Sequence, residues 1–279
     1  MTNEATVPLR VGLIQSCATP DPAQNVKSVV SQVREAAAKG ARLVALPEAV
    51  DFLHPDNTQF REYAKPIGEH QAVLRFQDVA RELSIWILVG SVTARTESGD
   101  VANRSLVISP AGKIRATYDK IHLFDASPGA KTSSESHIYQ RGNKAVVVKA
   151  DDATLGLSIC YDLRFPHLYR ALARNGANVL AVPSAFMVIT GKAHWHTLLR
   201  ARAIETGCFV IAPAQCGVPH ADRESFGHSL VVNPWGEIIA EAGVTEAVIV
   251  ADLNIDEVAE ARRRIPSLSQ NFEFTVATC

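Results

Sequence analysis

Short, almost wholly apolar runs recur along this chain, each set between a segment of helical periodicity and a turn. A run with no polar face in that setting belongs in a sheet covered by helices. From Asn25 to Gly40 apolar side chains fall at Val26, Val29, Val30, Val33, Ala36 and Ala37, one face of a helix, and Gly40 is placed to end it. Arg42 to Leu46 then reads as a buried strand, and a helix over about His70 to Leu83 with a strand over Ile85 to Thr93 repeats the order. Arg104 to Ser109 and Lys113 to Tyr118 flank Pro110-Ala111-Gly112 and predict two strands joined by a turn. The second half gives a hairpin over Ala145 to Ile159 around Asp151-Asp152, a helix near His167 to Arg174 and a strand at Asn178 to Val182. A helix near Trp195 to Glu205, a strand at Cys208 to Ala212 and a hairpin turning at Asn233 to Gly236 follow. A last helix is predicted to open at Asn254, with Glu257 at capping-box spacing. Two such halves predict an α/β fold, a four-layer α-β-β-α sandwich built as a single domain over residues 1–279, with Asp125 to Gly142 as an irregular polar loop.

Composition narrows the class. Of 279 residues 47% are hydrophobic, enough for a large core. The 28 basic and 29 acidic side chains nearly cancel, and no run of Lys and Arg could follow a phosphate backbone, so no nucleic-acid partner is expected. No apolar run approaches the ~18 residues of a membrane span. Met1 to Arg10 holds no apolar signal core, so a cytoplasmic protein without a membrane partner is expected. Five cysteines (Cys17, Cys160, Cys208, Cys216 and Cys279) form no CxxC pair, which argues against a disulfide framework or a zinc knuckle and for a chemical role if any cysteine is special.

Cys160 stands between an apolar strand and a helix, in Ser158-Ile159-Cys160-Tyr161-Asp162. A strand-to-helix turn can expose a nucleophile on a held backbone; the helix N-terminus favours a thiolate, and the Tyr161 amide could bind an oxyanion. A cysteine at a strand end is equally read as buried packing. Glu48, just beyond a buried strand, reads alone as a solvated strand-end carboxylate, Lys120 as a surface charge and Glu135 as a loop residue.

Taken together these residues are carried by three ordered blocks, Leu46-Pro47-Glu48, Tyr118-Asp119-Lys120-Ile121-His122-Leu123-Phe124 and Cys160-Tyr161-Asp162-Leu163-Arg164-Phe165-Pro166. The chain from Val11 to about Asn254 thereby resembles the nitrilase superfamily of carbon-nitrogen hydrolases. The resemblance implies Glu48 as general base, Lys120 as oxyanion stabiliser, Cys160 as nucleophile and Glu135 as a second acid beside them. Asp119 departs from the pattern, since many relatives carry a basic residue there; it either tunes Lys120 or pairs at the surface. The chemistry agrees: cleaving an amide needs a strong nucleophile, a base, charge stabilisation for the tetrahedral oxyanion and an acid for the leaving amine. A thioester hydrolysed by water is the expected intermediate.

The segment Pro183 to Thr206, with Ala214-Gln215-Cys216-Gly217, looks most like the branch that contains deaminated glutathione amidase. That likeness implies a small-molecule amide substrate and makes Phe186, Thr190, His194 and Trp195 candidates for the pocket wall, against a plain reading as core packing. Met187-Val188 stand where this branch tends to carry smaller residues. An omega-amidase, an N-carbamoyl amide hydrolase or a nitrilase of the superfamily is the alternative, and a noncatalytic binding subunit a remote one.

His167 lies near Cys160 but lacks the rest of a papain-like pattern. His194 and His196, two apart on a helix, point in different directions and are not expected to bind metal. No GxGxxG or GxxxxGK is present, so no cofactor is expected. Arg200 and Arg202 beside Glu205 read as helix-surface or interface ion pairs. The family resemblance implies a homodimer or larger homo-oligomer, with the stretch after about residue 254 in the contact.

Overall fold

The computed structural model describes residues 7–127, 133–220, 223–270 and 272–278. Its first half runs β1 (Leu9–Gln15), α1 (Pro22–Ala38), β2 (Leu43–Ala45), α2 (Thr58–Tyr63), α3 (Gln71–Leu83), β3 (Trp86–Arg95), β4 (Val101–Ile108) and β5 (Ile114–Asp119). The short pair β6 (Asp125–Ala126) and β7 (Ser133–Ser134) precedes β8 (Val147–Ala150), β9 (Ala153–Leu157), α4 (Pro166–Arg174), β10 (Val179–Ala181), α5 (Val188–Thr206) and β11 (Phe209–Ala212). A second short pair, β12 (Cys216–His220) and β13 (Arg223–Phe226), is followed by β14 (Leu230–Val232), β15 (Ile238–Glu241), β16 (Ala247–Leu253) and α6 (Asp256–Arg264).

Two six-stranded sheets result, ordered β16-β1-β2-β3-β4-β5 and β15-β14-β11-β10-β9-β8. Each has a parallel centre, β1-β2-β3 and β9-β10-β11, with antiparallel strands outside. The parallel strands explain the apolar runs, because both of their faces are covered. Leu43 and Ala45 of β2 point into the layer between the sheets while Val44 packs under α1 and α3; Val179 and Ala181 of β10 point inward while Leu180 faces the cluster containing α4 and α5. This is the four-layer α-β-β-α sandwich. A fully buried Leu or Val contributes roughly 1.5–3 kcal/mol, so the three apolar clusters are the bulk of what holds the layers together.

Local departures from expectation have local causes. α1 starts at Pro22, ahead of Asn25, because Asp21 caps it (Gln24 N–H to Oδ1, 3.1 Å) and proline is tolerated at the first helical position. α6 opens without the capping box: Asn254 Oδ1 accepts from Asp256 at 3.3 Å, while Glu257 donates its N–H to the Asn254 carbonyl at 3.0 Å. Within the segment read as an irregular loop, Asp125 to Gly142, the described residues form the β6-β7 pair and a 3-10 turn over Glu135–His137; 128–132 and Cys279 lie outside the described residues. Among the described residues no helix is long and apolar enough to cross a membrane.

Candidate active site

The candidate residues gather where β2 and β9 end, the edge at which parallel strands commonly present ligand-binding loops. Glu48 follows β2 by three residues. Its position depends on Gly90 in β3: a Cβ there would stand 2.0 Å from the Leu46 carbonyl oxygen and 2.4 Å from that of Pro47. Gln215 clasps the same turn, its Nε2 donating to the Glu48 carbonyl at 2.9 Å. Lys120 directly follows β5, with its N–H on the Asn103 carbonyl (3.0 Å) and its carbonyl taken by the Gly142 N–H (2.8 Å).

Cys160 opens a 3-10 turn, Cys160–Arg164, with φ +46°, and its N–H donates to the Pro183 carbonyl at 2.9 Å. A left-handed non-glycine residue costs about 1–3 kcal/mol and persists only where its surroundings impose it. Here they do. Asp162 is fully buried and accepts from Tyr118 Oη (2.6 Å), the Ile159 N–H (2.9 Å) and the His122 N–H (3.0 Å), with His122 Nδ1 also at 2.6 Å. Phe165 stacks on the His122 ring at 3.6 Å. Asp162 thus ties the strand that carries Lys120 to the turn that carries Cys160. Arg202, read above as a helix-surface or interface ion pair with Glu205, makes that pair (Nη1, 2.9 Å) but is buried, its Nε and Nη2 donating to the Leu163 carbonyl of this turn at 3.0 and 2.8 Å.

The side chains meet in one network. Lys120 Nζ lies 2.8 Å from Glu48 Oε1 and 2.8 Å from Glu135 Oε2. Glu48 Oε1 also accepts from Asn103 Nδ2 at 3.0 Å and Glu48 Oε2 accepts the Ala185 N–H at 2.9 Å, with Cys160 beside the same carboxylate in the cavity wall. Glu135 Oε2 accepts the Phe124 N–H at 2.8 Å. Burial disfavours the Glu48 carboxylate, but the charge and hydrogen bond of Lys120, with Cys160 beside it, outweigh that and hold its pKa below the usual value. Burial, reinforced by the Glu48 charge, raises Glu135 despite Lys120. Burial opposes the Lys120 ammonium, yet its two carboxylates keep its pKa well above the ordinary value. For Cys160, burial and then the Glu48 charge push the thiol well up, only partly offset by Lys120 and the Ala185 amide. Burial thus favours the neutral thiol of Cys160 over a free thiolate.

A cavity of about 190 Å³ opens over Cys160, Glu48 and Glu135. Phe186 and Thr190 line it, as do Phe124, Tyr161, Tyr139 and the two arginines Arg164 and Arg223. His194 and Trp195 do not. Trp195 is fully buried in the core against Phe186, its indole N–H donating to the His228 carbonyl at 2.8 Å. His194 lies one helical turn (about 5.4 Å) beyond Thr190 and meets Arg164 outside the wall, 3.2 Å from its Nη1. His167 is exposed on α4, and Asp119 pairs with Arg104 at 2.6 and 2.8 Å rather than with Lys120. Sequence reasoning missed Asn103, the Ala185 amide, Arg164 and Arg223. Asn103 lies one residue ahead of the strand read from Arg104, so no pattern marked it. Arg223 donates to the Ala185 carbonyl at 2.9 Å while its Nε is buried without a partner.

Comparison with known proteins agrees with this architecture. Residues 10–263 match the model of the family described as carbon-nitrogen hydrolase. Deaminated glutathione amidase of Synechocystis sp. is 40% identical over 267 residues, covering 94% of this chain and 97% of the relative. Human omega-amidase NIT2 is 38% identical over 264 residues, covering 94% of each. Among solved structures, Saccharomyces cerevisiae Nit3, a member of branch 10 of the nitrilase superfamily, superposes with a TM-score of 0.85 at 29% identity, over 94% of this chain and 96% of the other. With its two-sheet sandwich, a cysteine and two glutamates lining one cavity and a buried lysine paired with both carboxylates, the chain belongs to the carbon-nitrogen hydrolase family.

Proposed function

We propose that the protein is a deaminated glutathione amidase working through a thioester on Cys160. The observation that carries this is Cys160 sharing a cavity wall with the Glu48 carboxylate, itself held by Lys120 at 2.8 Å, with two guanidinium groups in the same wall. Glu48 takes the Sγ proton as sulfur attacks the amide carbonyl. Lys120 and the Tyr161 amide stabilise the tetrahedral oxyanion, the Tyr161 N–H lying in the first turn of a 3-10 segment where amides lack a partner within the helix. Collapse of the intermediate breaks the carbon–nitrogen bond, and Glu48 returns the proton to the departing amine. Water, deprotonated by Glu48, then hydrolyses the thioester, which frees the acid and restores the thiol. Glu135 holds Lys120 charged and in place.

Deaminated glutathione carries two carboxylates and is cleaved to a 2-oxo dicarboxylate and a dipeptide, and Arg164 and Arg223 supply matching charge. Phe186 and Thr190 complete the wall. The competing substrate is 2-oxoglutaramate, the smaller amide of an omega-amidase. Steady-state kinetics on both, with mass spectrometry of trapped Cys160, tests the reading: deaminated glutathione should give the larger kcat/KM and an acyl adduct that Cys160→Ala lacks. Preference for 2-oxoglutaramate would overturn the substrate, and turnover by Cys160→Ala the mechanism.

The working form in this reading is a cytoplasmic homodimer or larger, the single domain extending through its C-terminal stretch into the contact. Ile265, Phe272 and Phe274, 54, 83 and 86% exposed, form an apolar set there that a second copy would cover. Light scattering of the chain shortened before Phe272 should show dissociation.

A further inference from the structure

Away from the active-site cavity, three side chains from separate elements converge on one point. His196 projects from α5, His228 from the segment before β14, and Glu241 ends β15. His196 Nε2 and His228 Nδ1 each lie 2.8 Å from the same oxygen, Glu241 Oε1, and the three ligand atoms fall within 4.8 Å of one another. Two imidazoles competing for one carboxylate oxygen is an arrangement with more nitrogen donors than the acceptor can use well. It is also the donor set of a divalent transition metal. We propose that His196, His228 and Glu241 form a zinc-type binding site, with water completing a tetrahedral shell.

The geometry asks for little movement. Around a tetrahedral zinc with bonds of about 2.05 Å, ligand atoms stand roughly 3.3 Å apart, so each nitrogen withdraws about half an ångström from Oε1 and the ion enters between them. For the ion to bind His196 Nε2 and His228 Nδ1, the ring proton of each must sit on the other nitrogen. The three side chains are 35, 26 and 33% exposed, which leaves an entry path and a place for the water.

The ligands are held in advance by rigid parts of the fold. His228 has φ +55°, a strained value for a non-glycine residue, fixed by its N–H on the Gly243 carbonyl (2.9 Å) and its carbonyl under the Trp195 indole (2.8 Å). Its ring stacks on Phe226 at 4.4 Å, and His196 meets the same phenyl edge-on at 6.1 Å. Glu241 sits opposite Leu230 in the β14-β15 pairing, which fixes where its side chain leaves the sheet. Preorganised donors on a helix, a loop and a strand distinguish this cluster from solvated surface charges. An ion there fastens the middle of α5 to β15, while the first turn of the same helix carries Thr190 in the substrate cavity.

The probe is zinc chloride on the full-length chain, in a Cys160→Ala background so that the active-site thiol cannot compete. Calorimetry should give one zinc per chain, and a hundredfold excess over Kd should raise Tm by roughly 5 °C. His196→Ala and Glu241→Gln should each lose at least tenfold in affinity and most of the Tm rise. His196 is half-exposed on its helix, so its variant tests the site even where His228→Asn fails to fold. Cobalt substitution should give tetrahedral visible bands without a thiolate charge-transfer band. Unchanged zinc affinity in both His196→Ala and Glu241→Gln, or a thiolate band from Cys17, Cys208 or Cys216, would overturn the proposal.

Discussion

Glu48→Gln separates the catalytic from the structural role of the central carboxylate, because the hydrogen bonds around it are all donated to it. Oε1 receives Lys120 Nζ and Asn103 Nδ2 at 2.8 and 3.0 Å, and Oε2 receives the Ala185 N–H at 2.9 Å. A glutamine keeps the shape but offers one acceptor oxygen. If that oxygen faces Lys120, its NH2 confronts the Ala185 amide; if it faces Ala185, two donors confront the NH2. The first orientation is cheaper and leaves two buried donors, the Ala185 N–H and the new NH2, unpaired, at a cost of about 1–3 kcal/mol each, with Lys120 still neutralised by Glu135. In a chain of this size each kcal/mol lowers Tm by roughly 2–4 °C, and the fold survives. Catalysis should suffer more. Cys160 rests as a thiol, so loss of its base removes a factor of about 10² to 10⁴ from acylation. Thermal unfolding beside single-turnover acylation is the assay. Acylation within threefold of wild type, at a reduced Tm, would refute the argument and leave Glu48 a structural acceptor.

Lys120→Met should lower kcat by roughly 10²- to 10³-fold with a smaller change in KM, and should cost stability too, since Glu48 and Glu135 then face each other without a cation; steady-state kinetics and thermal melts check both. The acid limb of kcat/KM should lie below the ordinary glutamate value of about 4.3: the Glu48 pKa is depressed in the fold, so its base function and its share of stability persist until pH falls through that lowered value. A pH–rate profile whose acid limb is centred above about 5 contradicts this. Asp162→Ala strands the Tyr118 hydroxyl and two backbone N–H groups, about 1–3 kcal/mol each, and frees the Cys160 turn, so both Tm and alkylation selectivity for Cys160 should fall.

Most of the fold was legible because parallel strands buried on both faces leave apolar runs that no other element needs; β2, β10 and β11 announce themselves this way. α5 was harder. Its buried stripe consists of Gly191, Trp195, Leu199, Arg202, Ala203 and Thr206, so the face that packs inward contains a glycine, an arginine and a threonine. Gly191 is there because Phe226 lies against it, a Cβ being only 2.2 Å from that ring, and Arg202 because the Leu163 carbonyl needs a donor. Hydrophobic periodicity cannot register either reason, which is why the helix was read from Trp195 rather than Val188 and Arg202 as a helix-surface or interface ion pair. Of the two readings left open for Trp195, pocket wall by family likeness or core packing, the phase of α5 selects the core.

At the site, residues adjacent in sequence to a motif were legible and those delivered by strand pairing were not. Asn103 reaches Glu48 from β4, and the Ala185 amide arrives from the loop after β10. Neither is near its partner in sequence. The motif blocks themselves gain a physical meaning that their spelling alone lacks. In Tyr118-Asp119-Lys120-Ile121-His122 and Cys160-Tyr161-Asp162-Leu163-Arg164-Phe165, Cys160, Tyr161 and Arg164 line the cavity and Lys120 holds two of its carboxylates, whereas Tyr118, His122, Asp162 and Phe165 bind the two blocks to each other. In the proposed mechanism Lys120 meets an oxyanion forming on Cys160, and it has to be held to a few tenths of an ångström by parts of the chain about forty residues apart. Asp162, fully buried and satisfied by four donors, supplies that tolerance. The letters that look like spacers in these blocks are the reason that Lys120 and Cys160 meet at one site.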